Sequence, residues 1–188
     1  MPFNPAKHHR RSVRLRGWDY SNAGAYFVTL CAKNRECLFG TVVHGEMQLN
    51  EMGRIAAECW EWLEKQYAHV EWDQWVIMPN HMHAIIVLHG RGALQRAPTE
   101  SQPVKTKSLG QLIGMYKTVS TRRINEFRNT PGIIVWQRNY HEHIVRNDDE
   151  LIRIRRYIAN NPGKWESDLE NPALITFAPA TNPNPSPR

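Results

Sequence analysis

The sequence predicts an α+β fold, a ferredoxin-like sandwich with a central antiparallel sheet and flanking helices. Three observations carry that expectation. Strand-type and helix-type stretches follow one another as strand, helix, strand, strand, helix, strand, with a further helix behind them. The two middle strands are parted only by Pro79-Asn80, too short a link for a crossover, so they are antiparallel neighbours. The helical stretches carry apolar residues on one stripe only, as helices lying on a sheet do.

Each element has its own signature. Residues 25–32 (AYFVTLCA) read as a buried strand, and 38–49 as a short hairpin turning around Gly45. Asn50 looks like the cap of a helix over 51–68, whose stripe is Ile55, Cys59, Trp62 and Leu63. Residues 70–78 and 81–88 are the paired middle strands, rich in aromatic and β-branched side chains. The second helix spans 108–128, with Leu109, Leu112, Ile113, Tyr116, Val119, Ile124 and Phe127 as its stripe. Residues 133–145 return as one or two strands. Asn147 and three acidic residues open a last helix, which ends near Asn161-Pro162-Gly163. The organisation expected is a basic arm over 1–16, a domain over 17–170 with a flexible connector at 90–107, and a disordered Pro/Asn-rich tail over 171–188.

Composition narrows the function classes. The 188 residues hold 24 Lys and Arg against 18 Asp and Glu, a net charge of +6. Such an excess on a small domain favours a polyanionic partner. No apolar run is long enough for a membrane span, and no leader-like segment opens the chain. Three cysteines without a CxxC pair argue against a disulfide framework. The expectation is a cytoplasmic, nucleoid-associated protein with no membrane partner and no small-molecule cofactor.

His81 and His83 lie two apart on a strand, so both rings leave the same face. Two imidazoles on one face suit a divalent metal ion, and equally suit ordinary packing histidines. Tyr157 and Asn161 stand four apart at the end of the last helix, on one side of it. The amide oxygen of Asn161 is a hard donor for Mg²⁺ or Mn²⁺, and the Tyr157 phenol is a potential nucleophile. The same pair also reads as a core tyrosine and a helix cap. The stripe of this helix is better served by Leu151, Ile154 and Ile158, which leaves Tyr157 off-centre among Arg153, Arg155 and Arg156. Residues 136–143 (WQRNYHEH) interleave aromatic and polar groups, a pattern that suits stacking on unpaired bases and equally suits an ordinary edge strand. Glu142 and His143 there are candidates to orient a metal ligand. Arg10, Arg11, Arg14 and Arg16 in the arm, with Arg138, Arg153 and Arg156, are candidate DNA contacts.

Four blocks, in order, resemble one known family: RRSVRLRGWDYSNAGAYFVTLCAKNR, VIMPNHMHAIIV, WQRNYHEHIVRNDDEL and RRYIANNPGKW. Together they are similar to the REP-associated tyrosine transposases, relatives of the IS200/IS605-type transposases among the HUH enzymes. The resemblance implies that His81 and His83 are metal ligands, with Asn161 where relatives place a third. It implies that Tyr157 is the nucleophile, ahead of Tyr116 and Tyr140. The substrate it implies is single-stranded DNA beside a palindromic hairpin, cut and rejoined through a 5′-phosphotyrosine with Mg²⁺ or Mn²⁺, by a monomer or homodimer. Two other readings fit the same residues: a metal-dependent nuclease in which water attacks, and a hairpin-binding protein that no longer cuts.

Overall fold

A computed structural model describes residues 19–90, 106–168 and 170–175. The arm residues Arg10, Arg11, Arg14 and Arg16, most of the expected connector and most of the expected tail lie outside the described residues. The chain forms β1 (Gly24–Cys31), β2 (Gly40–Val43), β3 (Glu46–Leu49), α1 (Glu51–Lys65), β4 (Val70–Ile77), β5 (His81–Leu88), α2 (Leu109–Phe127), β6 (His141–Val145), α3 (Asp148–Ala159) and α4 (Pro172–Ile175). The first residues expected as tail thus make one helical turn, anchored where Asn171 Nδ2 donates to the Trp165 carbonyl at 3.0 Å.

The main sheet has the order β4-β5-β1-β6, every neighbouring pair antiparallel. Two strand–helix–strand units interlock here: β1-α1-β4 encloses β5, and β5-α2-β6 encloses β1. This is the ferredoxin-like arrangement expected from the element order. β2 and β3 form a separate hairpin, turning at Gly45 with φ of 77°, a left-handed conformation that favours glycine. The strand expected over 133–145 is shorter, with β6 starting only at His141 and a single bridge joining Trp136 to Ala32.

One face of the sheet carries the core. Tyr26, Val28 and Leu30 of β1 and Met82, Ala84 and Ile86 of β5 are buried against α1 and α2. Trp60 is central: it stacks on Trp72 at 4.3 Å and meets Tyr116 edge-on at 5.0 Å. Trp62, expected in the α1 stripe, is exposed, and Trp60 takes the inward place. Phe127, expected in the α2 stripe, is exposed at the helix end. Both helices otherwise start as read. The Asn50 side chain accepts from Gly53 N at 2.9 Å, and Gln111 Oε1 accepts from Ser108 N at 3.0 Å.

The other face carries α3, tied to the edge strand by Arg155, whose guanidinium grips the Asp73 carboxylate at 2.7 to 3.0 Å. No helix among the described residues is long and apolar enough to cross a membrane.

Candidate active site

The pairing register decides what meets what on the α3 face. Thr29 on β1 faces His83 on β5 and His141 on β6, while Cys31 faces His81. Paired residues in a sheet share a face, so Thr29, Cys31, His81, His83 and His141 all project toward α3. Strand positions 27, 29, 81 and 83 thereby line one patch, and the last turn of α3 brings Tyr157 over it.

His81 and His83 are 1% and 5% exposed, with ring centroids 4.6 Å apart. The tautomer of His81 follows from its neighbours. Asn80 Nδ2 donates to the carbonyls of Arg35 (3.2 Å) and Glu170 (2.7 Å), so its Oδ1 is left as an acceptor. His81 Nδ1, 2.8 Å from that Oδ1, therefore carries the proton. The Nε2 lone pair of His81 is directed into the site, buried and without a hydrogen-bond partner. His83 is held at 2.9 Å between its Nδ1 and Thr29 Oγ1, and its Nε2 lies 3.2 Å from the Tyr157 hydroxyl. Burial pushes His81 down to about 4 and His83 down to about 3, against smaller opposing pulls on His81 from Asp168 and Asn161. Both rings are neutral at physiological pH, the form that ligates metal.

Asn161 is 2% exposed and makes no capping bond with its side chain. Its Oδ1 is buried and unbonded, close enough to His81 to oppose the fall in that ring's proton affinity. Tyr157 is 44% exposed, its ring edge-on to Phe27 at 6.0 Å and to His83 at 5.1 Å. Burial pushes its phenol above the ordinary value, Asp168 adds to that, and Asn161 opposes it. Phe27 in turn stacks on His83 at 5.4 Å. A cavity of about 480 Å³ opens over both imidazoles and Tyr157, walled by Gln137, Asn139 and Tyr140.

A divalent metal fits this set by its chemistry. Two neutral imidazole nitrogens and one amide oxygen converge, and two of these three acceptors are buried with nothing bonded to them, a costly state for polar atoms. Among the described residues no three His, Cys, Asp or Glu side chains converge on one point, so the amide is the third donor the site offers.

The other expected site residues are placed differently. Glu142 pairs with Val28 and lies on the core face, opposite the imidazoles, because strand pleating turns alternate residues away from one another. It does not orient either ring. His143 shares the α3 face but bonds Glu150 at 2.8 Å, not His81 or His83. Arg153 and Arg156 are exposed on α3, and Arg138 lines another cavity of about 870 Å³ between α2 and residues 131–138, which shares Gln137 with the cavity over the imidazoles. Tyr116 is fully buried in the core, and Tyr140 stands on the wall of the cavity over the imidazoles. The sequence reading missed Asn80 and Thr29, which hold the two imidazoles. Asn80 was visible as the neighbour of His81; Thr29 needed the strand register.

No family model matches the chain. A solved structure of a REP-associated tyrosine transposase bound to a REP hairpin is similar over 80% of this chain and 73% of its own, with a TM-score of 0.54 and 19% identity. The chain therefore shares its fold with that transposase. At the level of sequence, an uncharacterized protein of Haemophilus influenzae (strain ATCC 51907 / DSM 11121 / KW20 / Rd) is 39% identical over 173 residues, covering 88% of this chain and 95% of the relative. The chain belongs to one family with that protein.

Proposed function

We propose that this protein is a single-stranded DNA transesterase of the transposase type, which binds hairpin DNA and cuts and rejoins it through Tyr157. The observation that carries the reading is the pair of buried, unbonded acceptors, His81 Nε2 and Asn161 Oδ1, beside the His83–Tyr157 contact. The fold of a transposase bound to a REP hairpin supports the choice of DNA hairpins as substrate. The excess of 24 basic over 18 acidic residues agrees with a polyanionic partner.

His81, His83 and Asn161 would hold Mg²⁺ or Mn²⁺, which when bound neutralises a non-bridging phosphate oxygen and stabilises charge in the transition state. The chain supplies the rest. Asn80 and Thr29 engage the two Nδ1 atoms, which leaves the Nε2 atoms as the ligating positions. The Tyr157 oxygen attacks phosphorus as its proton leaves to solvent on the exposed side of the ring. The bond from phosphorus to the 3′-oxygen breaks, and that oxygen takes up a proton. The products are a 5′-phosphotyrosine and a free 3′-hydroxyl, so one phosphodiester replaces another and no nucleotide cofactor is consumed. A 3′-hydroxyl can later reverse the step.

The test is incubation of the protein with end-labelled hairpin DNA carrying a 5′ single-stranded extension, with Mn²⁺, followed by a denaturing gel. Cut DNA with a slower, protease-sensitive band supports the reading. Cut DNA without such a band favours attack by water. Tight hairpin binding without cutting favours a binding protein.

A further inference from the structure

On the far side of Tyr157 from the imidazoles lies a second cavity of about 320 Å³. Its walls are the rings of Phe27, His141, His143 and Tyr157, with Glu150, Arg153 and Ile154 from α3 beside them. Phe27, on the α3 face of the central strand β1, is only partly buried, which leaves some apolar ring surface open. The rings around it are held apart: Phe27 to His141 is 6.4 Å at 65°, and Phe27 to Tyr157 is 6.0 Å at 85°. His143 is fixed by its 2.8 Å contact with Glu150, and Glu150 is itself fixed by accepting from Arg146 N at 2.9 Å. The cavity is thus an open, largely aromatic slot, with the exposed Arg153 guanidinium and the Glu150 carboxylate at its edge.

The slot is continuous with the reaction cavity, for Phe27, His141 and Tyr157 line both. Tyr157 is the partition between them. A chain whose phosphate meets the Tyr157 hydroxyl has its next base within one nucleotide of this slot. We propose that the slot is a subsite for one unpaired nucleobase adjacent to the attacked phosphate, stacked on Phe27 and the His141 ring, with Arg153 meeting the neighbouring backbone phosphate. Stacking on aromatic side chains beside an arginine is the general chemistry of single-strand binding, and it accepts any base with a π-face. The subsite rests on the single-stranded DNA reading above. It would select for an unpaired nucleotide there, because the faces of a base held in a duplex are covered by its stacked neighbours and cannot lie on Phe27.

The test separates the two claims. Full-length Tyr157→Phe protein, which keeps the ring, is bound to hairpin DNA with a 5′ single-stranded extension in which 2-aminopurine, or an abasic residue, is moved one position at a time. One position is expected to be quenched on binding, and an abasic residue there is expected to weaken binding about tenfold, the scale of one base–aromatic stack. Phe27→Leu and Arg153→Gln, each combined with Tyr157→Phe, are expected to remove most of that penalty. Arg153 is exposed, so its variant folds even if Phe27→Leu does not. No quenched position, or an abasic penalty unchanged in both variants, overturns the subsite. Cutting by the unmodified protein is followed alongside. If it cuts and no position couples to Phe27 or Arg153, only the subsite fails; if a coupled position is found without cutting, only the transesterase reading fails.

Discussion

The hydroxyl of Tyr157 lies 3.2 Å from Nε2 of His83, the ring nitrogen turned into the reaction cavity. Nδ1 of the same ring is engaged by Thr29, so the two contacts together fix the plane of the imidazole. A divalent metal taking this nitrogen as a ligand would compete with the Tyr157 hydroxyl for it. Tyr157→Phe is expected to bind Mn²⁺ or Co²⁺ slightly more tightly than the parent, by about fivefold if the lost hydrogen bond is worth about 1 kcal/mol. Calorimetric titration reads this, and loss of metal binding in the variant would contradict it.

Asn80 sets the tautomer of His81 by offering Oδ1 to Nδ1 at 2.8 Å. Asn80→Ala removes that acceptor and is expected to lower metal affinity about 10- to 100-fold, the usual cost of losing a group that orients a ligand. Asn80→Asp keeps an acceptor and is expected to recover part of the loss. Equal affinity in the parent and Asn80→Ala proteins would show that His81 orientation does not depend on this contact.

Acid should destabilise the metal-free protein earlier than carboxylate titration alone would. Burial holds His81 near 4 in the folded chain, against 6.5 for an ordinary imidazole. Below pH 6.5 the unfolded chain takes a proton that the folded chain refuses, so stability falls as pH drops from 6.5 toward about 4. At pH 5 the loss from His81 alone is about 2 kcal/mol relative to pH 7.5. Urea midpoints at the two pH values measure it, and His81→Gln is expected to flatten the difference. A slope unchanged by that substitution would count against the assignment.

His81→Ala and His83→Ala should separate cutting from binding. Cleavage is expected to disappear in both, while hairpin affinity changes little, because phosphate contacts by Lys and Arg supply most of it. The affinity of the unmodified protein is expected to fall steeply between 50 and 200 mM salt, on the order of 10³-fold or more if six or more phosphates are contacted. Filter binding across the salt range checks both parts. Undiminished cleavage in the doubly substituted protein would remove the metal assignment.

Much of this site was legible in the sequence, for geometric reasons. A strand repeats every two residues, so His81 and His83 had to share a face; a helix repeats near four, so Tyr157 and Asn161 had to share a side. The ferredoxin-like order followed from the succession of elements and the short Pro79-Asn80 link. What stayed hidden depended on phase and register. Glu142 and His143 are adjacent, and only the pairing of β6 with β1 says that Glu142 faces the core. Trp60 and Trp62 both suit an amphipathic stripe, and the place of β4, with Trp72 opposite, selects Trp60. Thr29 is far from His83 in sequence and meets it only through the β1–β5 register. The aromatic slot joins three elements, and no local pattern announces it.

The most direct measurement is the covalent adduct. Unmodified protein, Tyr157→Phe and Tyr140→Phe are each incubated with Mn²⁺ and hairpin DNA carrying a 5′ extension, then denatured and resolved by size, with intact mass of the product. An adduct is expected on the unmodified and Tyr140→Phe proteins, with a mass equal to the protein plus the 5′-phosphorylated 3′ fragment less one water. Neither adduct nor cutting is expected of Tyr157→Phe, although that protein folds and binds the hairpin. An adduct that persists in Tyr157→Phe would contradict the account and place the nucleophile elsewhere.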